Sequence, residues 1–192
     1  MPRFERSQAA SLADRLRETP RRIVAVFGPR QTGKTTIIRQ ALLRSGVPFR
    51  YIAVDEPDSS TARGFPRTDP FPAAMRDERW LVQCWESARE EAAAGRGFVL
   101  ALDEIQKIPR WSEVVKGLWD ADRFADRPLR VVIAGSSPMT MQHGLNESLA
   151  GRFETIPVAQ WSFPEIAAAF GFDINRYVFY GGYPGAARHV GT

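Results

Sequence analysis

Apolar residues follow two rhythms along this chain. Mostly apolar runs occupy 23–27, 49–54, 97–102 and 129–134, the second and fourth each holding one arginine, and between them apolar residues recur every three or four positions. The runs read as buried strands and the spaced stretches as helices, which makes an α/β chain. A first helix is expected over 7–18, with Leu12 and Leu16 one turn apart, and Thr19-Pro20 ends it. A second helix starts at Thr36 and gathers Ile37, Ile38, Ala41 and Leu42 on one face. Residues 57–72, rich in Pro, Ser, Thr and Gly, read as a loop; a helix follows over 72–94 and ends at Gly95. Past the third strand the pattern gives a loop over 106–111. A helix then runs from a Ser112 cap to about Ala121, packing through Val114, Val115, Leu118 and Trp119. Another helix opens near Pro138, and a fifth strand covers 154–158, where Pro157 suits a sheet edge. Ser162-Phe163-Pro164-Glu165 has capping-box spacing and starts a helix through Phe170. A short helix over 175–180 precedes the break at Gly181-Gly182-Tyr183-Pro184-Gly185.

Composition narrows the class. A chain of 192 residues fits one domain and is long enough for a sizeable core. The formal net charge is +4. Its N-terminal leader, 1–21, is basic: Arg3, Arg6, Arg15, Arg17, Arg21 and neighbouring Arg22 face only Glu5, Asp14 and Glu18. The plain reading is a solvated helix face, with approach to nucleic acid as the alternative. The single cysteine, Cys84, precludes an internal disulfide and sits in an apolar helical setting as a packing residue. No run approaches the roughly 20 apolar residues of a membrane span and the N-terminus has no apolar signal core, which reads as a cytoplasmic chain with no membrane partner. His143 and His189 stand alone without ligand spacing, and no G-x-S-x-G is present.

The chemistry is concentrated at Gly28-Pro29-Arg30-Gln31-Thr32-Gly33-Lys34-Thr35, which fits G-x-x-x-x-G-K-[ST] between a strand and a helix. Backbone N–H groups and the helix dipole make such a loop an anion site. Gly28 and Gly33 permit backbone that a side chain would obstruct. Lys34 suits the β- and γ-phosphates, and the Thr35 hydroxyl suits Mg²⁺. The third strand ends on Asp103-Glu104, placing carboxylates at the C-terminal edge where ligands bind in open α/β sheets. Asp103 suits the metal beside Thr35, and Glu104 suits polarisation of water. The fourth strand ends on Gly135-Ser136-Ser137; either serine suits a phosphate or water contact, or a helix cap. Arg152 reads either as an arginine finger, for its own or a neighbouring subunit, or as a structural arginine.

In this order the segments resemble the AAA-like P-loop ATPases of bacteria and archaea. These are of the additional-strand type, in which a catalytic glutamate follows the Mg²⁺-binding aspartate. The resemblance rests on Gly28 through Thr36, on Leu102-Asp103-Glu104-Ile105-Gln106-Lys107 and on Gly135-Ser136-Ser137. It continues in Ser148-Leu149-Ala150-Gly151-Arg152 and Gly181-Gly182-Tyr183-Pro184, so that it spans 22–185. It implies a P-loop NTPase three-layer sandwich: a five-stranded parallel sheet in order 5-1-4-3-2 with helices on both faces, and an ATPase core over 22–160. It also implies ATP and Mg²⁺. Related signalling ATPases carry a Gly-x-Pro near the adenine, to which Gly182-Tyr183-Pro184 corresponds unless it is a plain turn, and this would set Pro184 near the base. Family members run on into a long C-terminal domain, so 161–192 reads as the start of a helical lid, truncated at Thr192, with a protein or DNA partner engaged beyond it.

Mg²⁺-dependent ATP hydrolysis is therefore the leading expectation, with Lys34, Glu104, Ser136 and Arg152 as the catalytic set. The alternative is a nucleotide-dependent switch that controls a protein or DNA partner with little hydrolysis. A small-molecule phosphotransferase, with Asp55 on an acceptor hydroxyl, is the third; the chain lacks an arginine-rich lid segment between strands three and five.

Overall fold

The computed structural model describes residues 4–55, 75–95, 97–136, 141 and 148–187. Five strands, β1 (Ile23–Phe27), β2 (Phe49–Ala53), β3 (Phe98–Asp103), β4 (Leu129–Gly135) and β5 (Phe153–Pro157), form one sheet in the order β2-β3-β4-β1-β5. Every neighbouring pair is parallel. Read from the other edge, this is the expected order 5-1-4-3-2.

Strand side chains alternate between two faces. Ile23, Ala25, Leu100, Leu102, Val131 and Ile133 pack beneath α3 (Glu78–Ala93) and α4 (Trp111–Phe124). Val24, Val26, Val99, Ala101, Val132 and Ala134 pack beneath α1 (Ser7–Arg17) and α2 (Lys34–Ser45). Because helices cover both faces, the strands are apolar at successive positions rather than alternating. Cys84 is buried on α3, among the packing residues.

The N-terminal helix is not an appendage to this core. Ala9, Leu12, Ala13 and Leu16 are fully buried in one cluster with Ile37 and Leu42 of α2. Its arginines still lie outward, Arg15 beside Glu18 and Glu154 and Arg17 beside Asp14. Two helix starts differ from the sequence pattern. α3 begins at Glu78, where the Asp77 carboxylate accepts from the Trp80 N–H. α4 is preceded by Arg110, in a left-handed conformation with φ 48°, rather than capped by Ser112. Burial of Trp111 in the core draws that residue into the first turn, ahead of the serine. Part of the 106–111 loop is a 3-10 turn at Ile105–Lys107. The 57–72 loop and the helix start near Pro138 lie outside the described residues, as do His143 and His189.

β5 pairs only with β1 and forms an edge, where the missing N–H of Pro157 leaves no ladder bond unmade. Beyond it α5 (Phe163–Phe170), α6 (Ile174–Tyr180) and α7 (Pro184–Ala187) gather around Trp161, Ile166, Phe172 and Ala187, with Phe4 packed against them. The register sets Phe27 opposite Gly135 and Ala53 opposite Asp103. The C-terminal ends of the central strands therefore open on one edge, and the chemistry lies there.

Candidate functional site

The Gly28–Thr35 loop leaves β1 at this edge and enters α2 at Lys34. Its two glycines serve different physical needs. Gly33 has φ 94°, which a side chain would strain, but a Cβ there would meet only Trp161 Nε1, at an ordinary 3.8 Å. Gly28 is needed for close approach: a Cβ there would lie 2.0 Å from the Val158 carbonyl oxygen. The loop is tied internally, the Thr32 hydroxyl donating to the Pro29 carbonyl at 2.9 Å. The Lys34 ammonium, buried to 6% exposure, donates to the carbonyls of Gly28 (2.9 Å) and Pro29 (2.7 Å).

Two residues far apart in sequence meet at the start of α2. The Thr35 hydroxyl donates to Asp103 Oδ2 at 2.8 Å. Asp103, at the end of β3, is 1% exposed. Its Oδ2 also accepts from the Tyr51 hydroxyl at 2.7 Å, and its Oδ1 accepts from the Glu104 N–H at 3.0 Å. A hydroxyl and a carboxylate side by side form an oxygen donor set of the kind Mg²⁺ takes, with water and phosphate completing the shell. Tyr51 was missed in the sequence, though the signal was present. It pairs with Ala101 in β2–β3, so Asp103, two residues on, shares its face.

Glu104 leaves the strand in a left-handed conformation, φ 57°. Its Oε2 accepts from the Ser136 hydroxyl at 2.8 Å, from the Ser136 N–H at 3.3 Å and from the Gln106 side-chain amide. Ser136 thus touches the carboxylate directly, while Ser137 lies outside the described residues.

Glu104, Ser136, Lys34 and Thr35 line a common cleft of about 1230 Å³ with Arg30, Gln31, Gly33 and Thr36. Its far wall is aromatic: Phe4, Trp161 and Phe170 stand beside Pro184. Phe4 and Trp161 are in ring contact at 5.2 Å, and Trp161 and Phe170 at 5.9 Å. This wall joins the N-terminal segment to the helices after β5, which no local pattern in the sequence announces.

Arg152 does not join the cleft. Its carbonyl accepts from the Ile23 N–H at the entry of β1, and its guanidinium makes a bidentate pair with Asp120 of α4 at 2.6 and 2.9 Å. The loop leaves the other end of that strand, about 13 Å away along the chain direction. Of the two readings, finger or structural arginine, this geometry displays the structural contact. The pair instead holds the Asp120 carboxyl below its ordinary range, chiefly through the hydrogen bond from Arg152.

Among the described residues, no helix is long and apolar enough to cross a membrane.

The sequence profile of a family described as "AAA domain" matches residues 20–167. Among solved structures, the fold is similar to that of the Aeropyrum pernix ORC2 protein in its ADP form, with a TM-score of 0.55 and 16% sequence identity. The likeness covers 92% of this chain and 53% of that one, so the chain spans about half the length of that structure. At this identity it speaks for the fold alone, a parallel five-stranded sheet between helices. No curated protein sequence matches.

Proposed function

The chain belongs to the AAA domain family, a nucleotide-binding domain of the ATPase type, and on that premise we propose that it binds ATP and hydrolyses it with Mg²⁺. The contact between the Thr35 hydroxyl and Asp103 carries the reading. It joins the loop's final hydroxyl to the acid of β3 at the positive end of a helix, where phosphate and a divalent cation are both favoured. Thr35 and Asp103 would hold the metal, with the Tyr51 hydroxyl orienting the carboxylate. When bound, Mg²⁺ supplies charge neutralisation across the β- and γ-phosphates.

The remaining roles follow from position. Gly28 through Thr36 wrap the phosphates, every residue but Pro29 offering a backbone N–H. Lys34 exchanges its two carbonyl partners for phosphate oxygens. Glu104 orients and deprotonates the attacking water, and Ser136, at hydrogen-bond distance from Glu104, reads the γ-phosphate. The aromatic wall with Pro184 gives a base a stacking surface beside the loop. A part for Arg152 in a neighbouring subunit's reaction requires its release from Asp120.

The test is steady-state ATP hydrolysis beside fluorescent-nucleotide binding. Lys34→Ala is expected to lose binding. Glu104→Gln is expected to keep binding and lose about 100-fold or more in turnover, the usual contribution of a positioned general base. Normal binding and hydrolysis by Lys34→Ala would remove the assignment. A second reading, a switch with little hydrolysis that controls a protein or DNA partner, draws on the three donors already engaging Glu104 Oε2. Tight binding with no turnover in either the wild type or Glu104→Gln would favour it.

A further inference from the structure

One carbonyl in the loop is held from outside by two residues that belong to other parts of the fold. Thr32 is fully buried, and its carbonyl oxygen accepts from the Trp161 indole N–H at 3.0 Å and from Arg6 Nη1 at 3.3 Å. No peptide bond among the described residues is cis. In a trans peptide the carbonyl and the following N–H point in opposite directions. With the Thr32 carbonyl fastened toward Trp161 and Arg6, the Gly33 N–H must point away from them. Gly33 stands at φ 94°, a conformation with little intrinsic preference to fix that direction.

Both donors are themselves firmly placed. The Trp161 N–H donates to the Gly182 carbonyl at 2.9 Å, and the Tyr177 hydroxyl donates to the Trp161 carbonyl at 3.0 Å. Arg6 is 4% exposed and lies over the Trp161 ring at 5.3 Å. It also donates to the Ala159 carbonyl at 3.1 Å and pairs with Glu165 at 2.7 Å. An arginine with that many fixed partners is a bracket rather than a solvated charge. It ties the N-terminal segment, the loop, the chain after β5 and α5 into one unit.

We infer that Trp161 and Arg6 are positioning residues for phosphate binding: by pinning the Thr32 carbonyl they hold the Gly33 N–H in its phosphate-facing direction. The inference rests on the phosphate-loop reading of the preceding subsection. It extends that site to a tryptophan and an arginine lying 129 and 26 positions from Thr32. In the variant lacking the indole donor, Arg6 alone holds the Thr32 carbonyl, and phosphate binding must then restrict a looser Thr32–Gly33 peptide.

Inorganic tripolyphosphate with Mg²⁺ is the probe, because it carries the phosphates without a base to stack on the aromatic wall. Its affinity is measured by calorimetry for the wild type, Lys34→Ala, Trp161→Phe and Arg6→Gln. In parallel, ¹H–¹⁵N spectra follow the Gly33 amide. Trp161→Phe keeps an aromatic ring in the wall and deletes the donor along with part of the bicyclic ring. It is expected to weaken tripolyphosphate about tenfold, the scale of one lost hydrogen bond, and to reduce the ligand-induced shift of the Gly33 amide. Arg6→Gln is expected to act in the same direction. Because both donors share one acceptor, the double variant should fall short of the product of the single effects. Leu16→Ala, which loosens the α1 packing without touching Thr32, serves as the stability control and should leave the affinity unchanged. Wild-type affinity and an unaltered Gly33 shift in Trp161→Phe, with Lys34→Ala still failing to bind, overturn the inference alone. Failure of the wild type itself to bind overturns the phosphate-loop reading and the inference with it.

Discussion

Gly28→Ala and Gly33→Ala should separate two reasons for glycine within one eight-residue motif. At Gly28 the new methyl would meet the Val158 carbonyl oxygen at 2.0 Å and its carbon at 2.9 Å, both backbone atoms that no rotamer change can move aside. Ordinary contact lies near 3.5 Å, so the loop and the end of β5 must part by about 1 Å or more. That movement stretches the hydrogen bond from the Val158 N–H to the Phe27 carbonyl, 2.8 Å long and buried. Overpacking costs about 1–3 kcal/mol and a broken buried hydrogen bond a similar amount, so Gly28→Ala should lose about 3–5 kcal/mol. At Gly33 the nearest atom is Trp161 Nε1, at an unstrained 3.8 Å. Only the positive φ opposes alanine, at a cost of about 1–2 kcal/mol. For a chain of this size each kcal/mol lowers the melting temperature by about 2–4 °C. Thermal unfolding followed by circular dichroism should therefore place Gly28→Ala roughly 10 °C below the wild type and Gly33→Ala only a few degrees below it. Equal losses, or a larger loss at Gly33, would refute the claim that crowding by Val158 is what requires glycine at 28.

Two further outcomes follow from buried charge. Asp122 is fully buried and accepts from the Trp85 indole (2.7 Å) and from Arg89 (2.6 Å). Asp122→Ala strands both donors and should cost about 3–5 kcal/mol in chemical denaturation while leaving nucleotide affinity in the folded fraction unchanged; a stability loss of well under 1 kcal/mol would show the pair to be dispensable. Burial raises the Glu165 carboxyl, but hydrogen bonds from Arg6 and Ser162 outweigh it and hold the group below its ordinary value. A carboxyl depressed in the folded state stabilises above its unfolded pKa and loses that contribution as pH falls through the folded one. The melting-temperature gap between the wild type and Glu165→Gln should hold at pH 7 and close below about pH 4; a gap independent of pH would remove the ion pair as its cause.

Local pattern determined a good deal of this protein. A phosphate loop is a run of consecutive residues between a strand and a helix, so its presence, the identities of Lys34 and Thr35 and the acid-bearing end of β3 could be read from spacing. Strands buried on both faces are apolar at most successive positions, and that too is a local signature. Even the proline on the edge strand announced its place. Helix starts were less legible, because burial of Trp111 competed with the capping preference of Ser112 and won. What only the tertiary structure decided is which distant side chains share the site. Arg6 and Arg152 are the same residue type, and their flanking sequence pointed the other way: Arg6 stood in a basic leader and Arg152 in a segment that resembles the family. Yet one is buried against Thr32 and Glu165, while the other lies at the opposite end of β1, paired with Asp120. The Arg6–Glu165 pair spans 159 positions. Contacts of that range depend on strand order and on where the chain returns after β5. Both are consequences of packing the sheet between its helices, and neither is written in any window of the sequence.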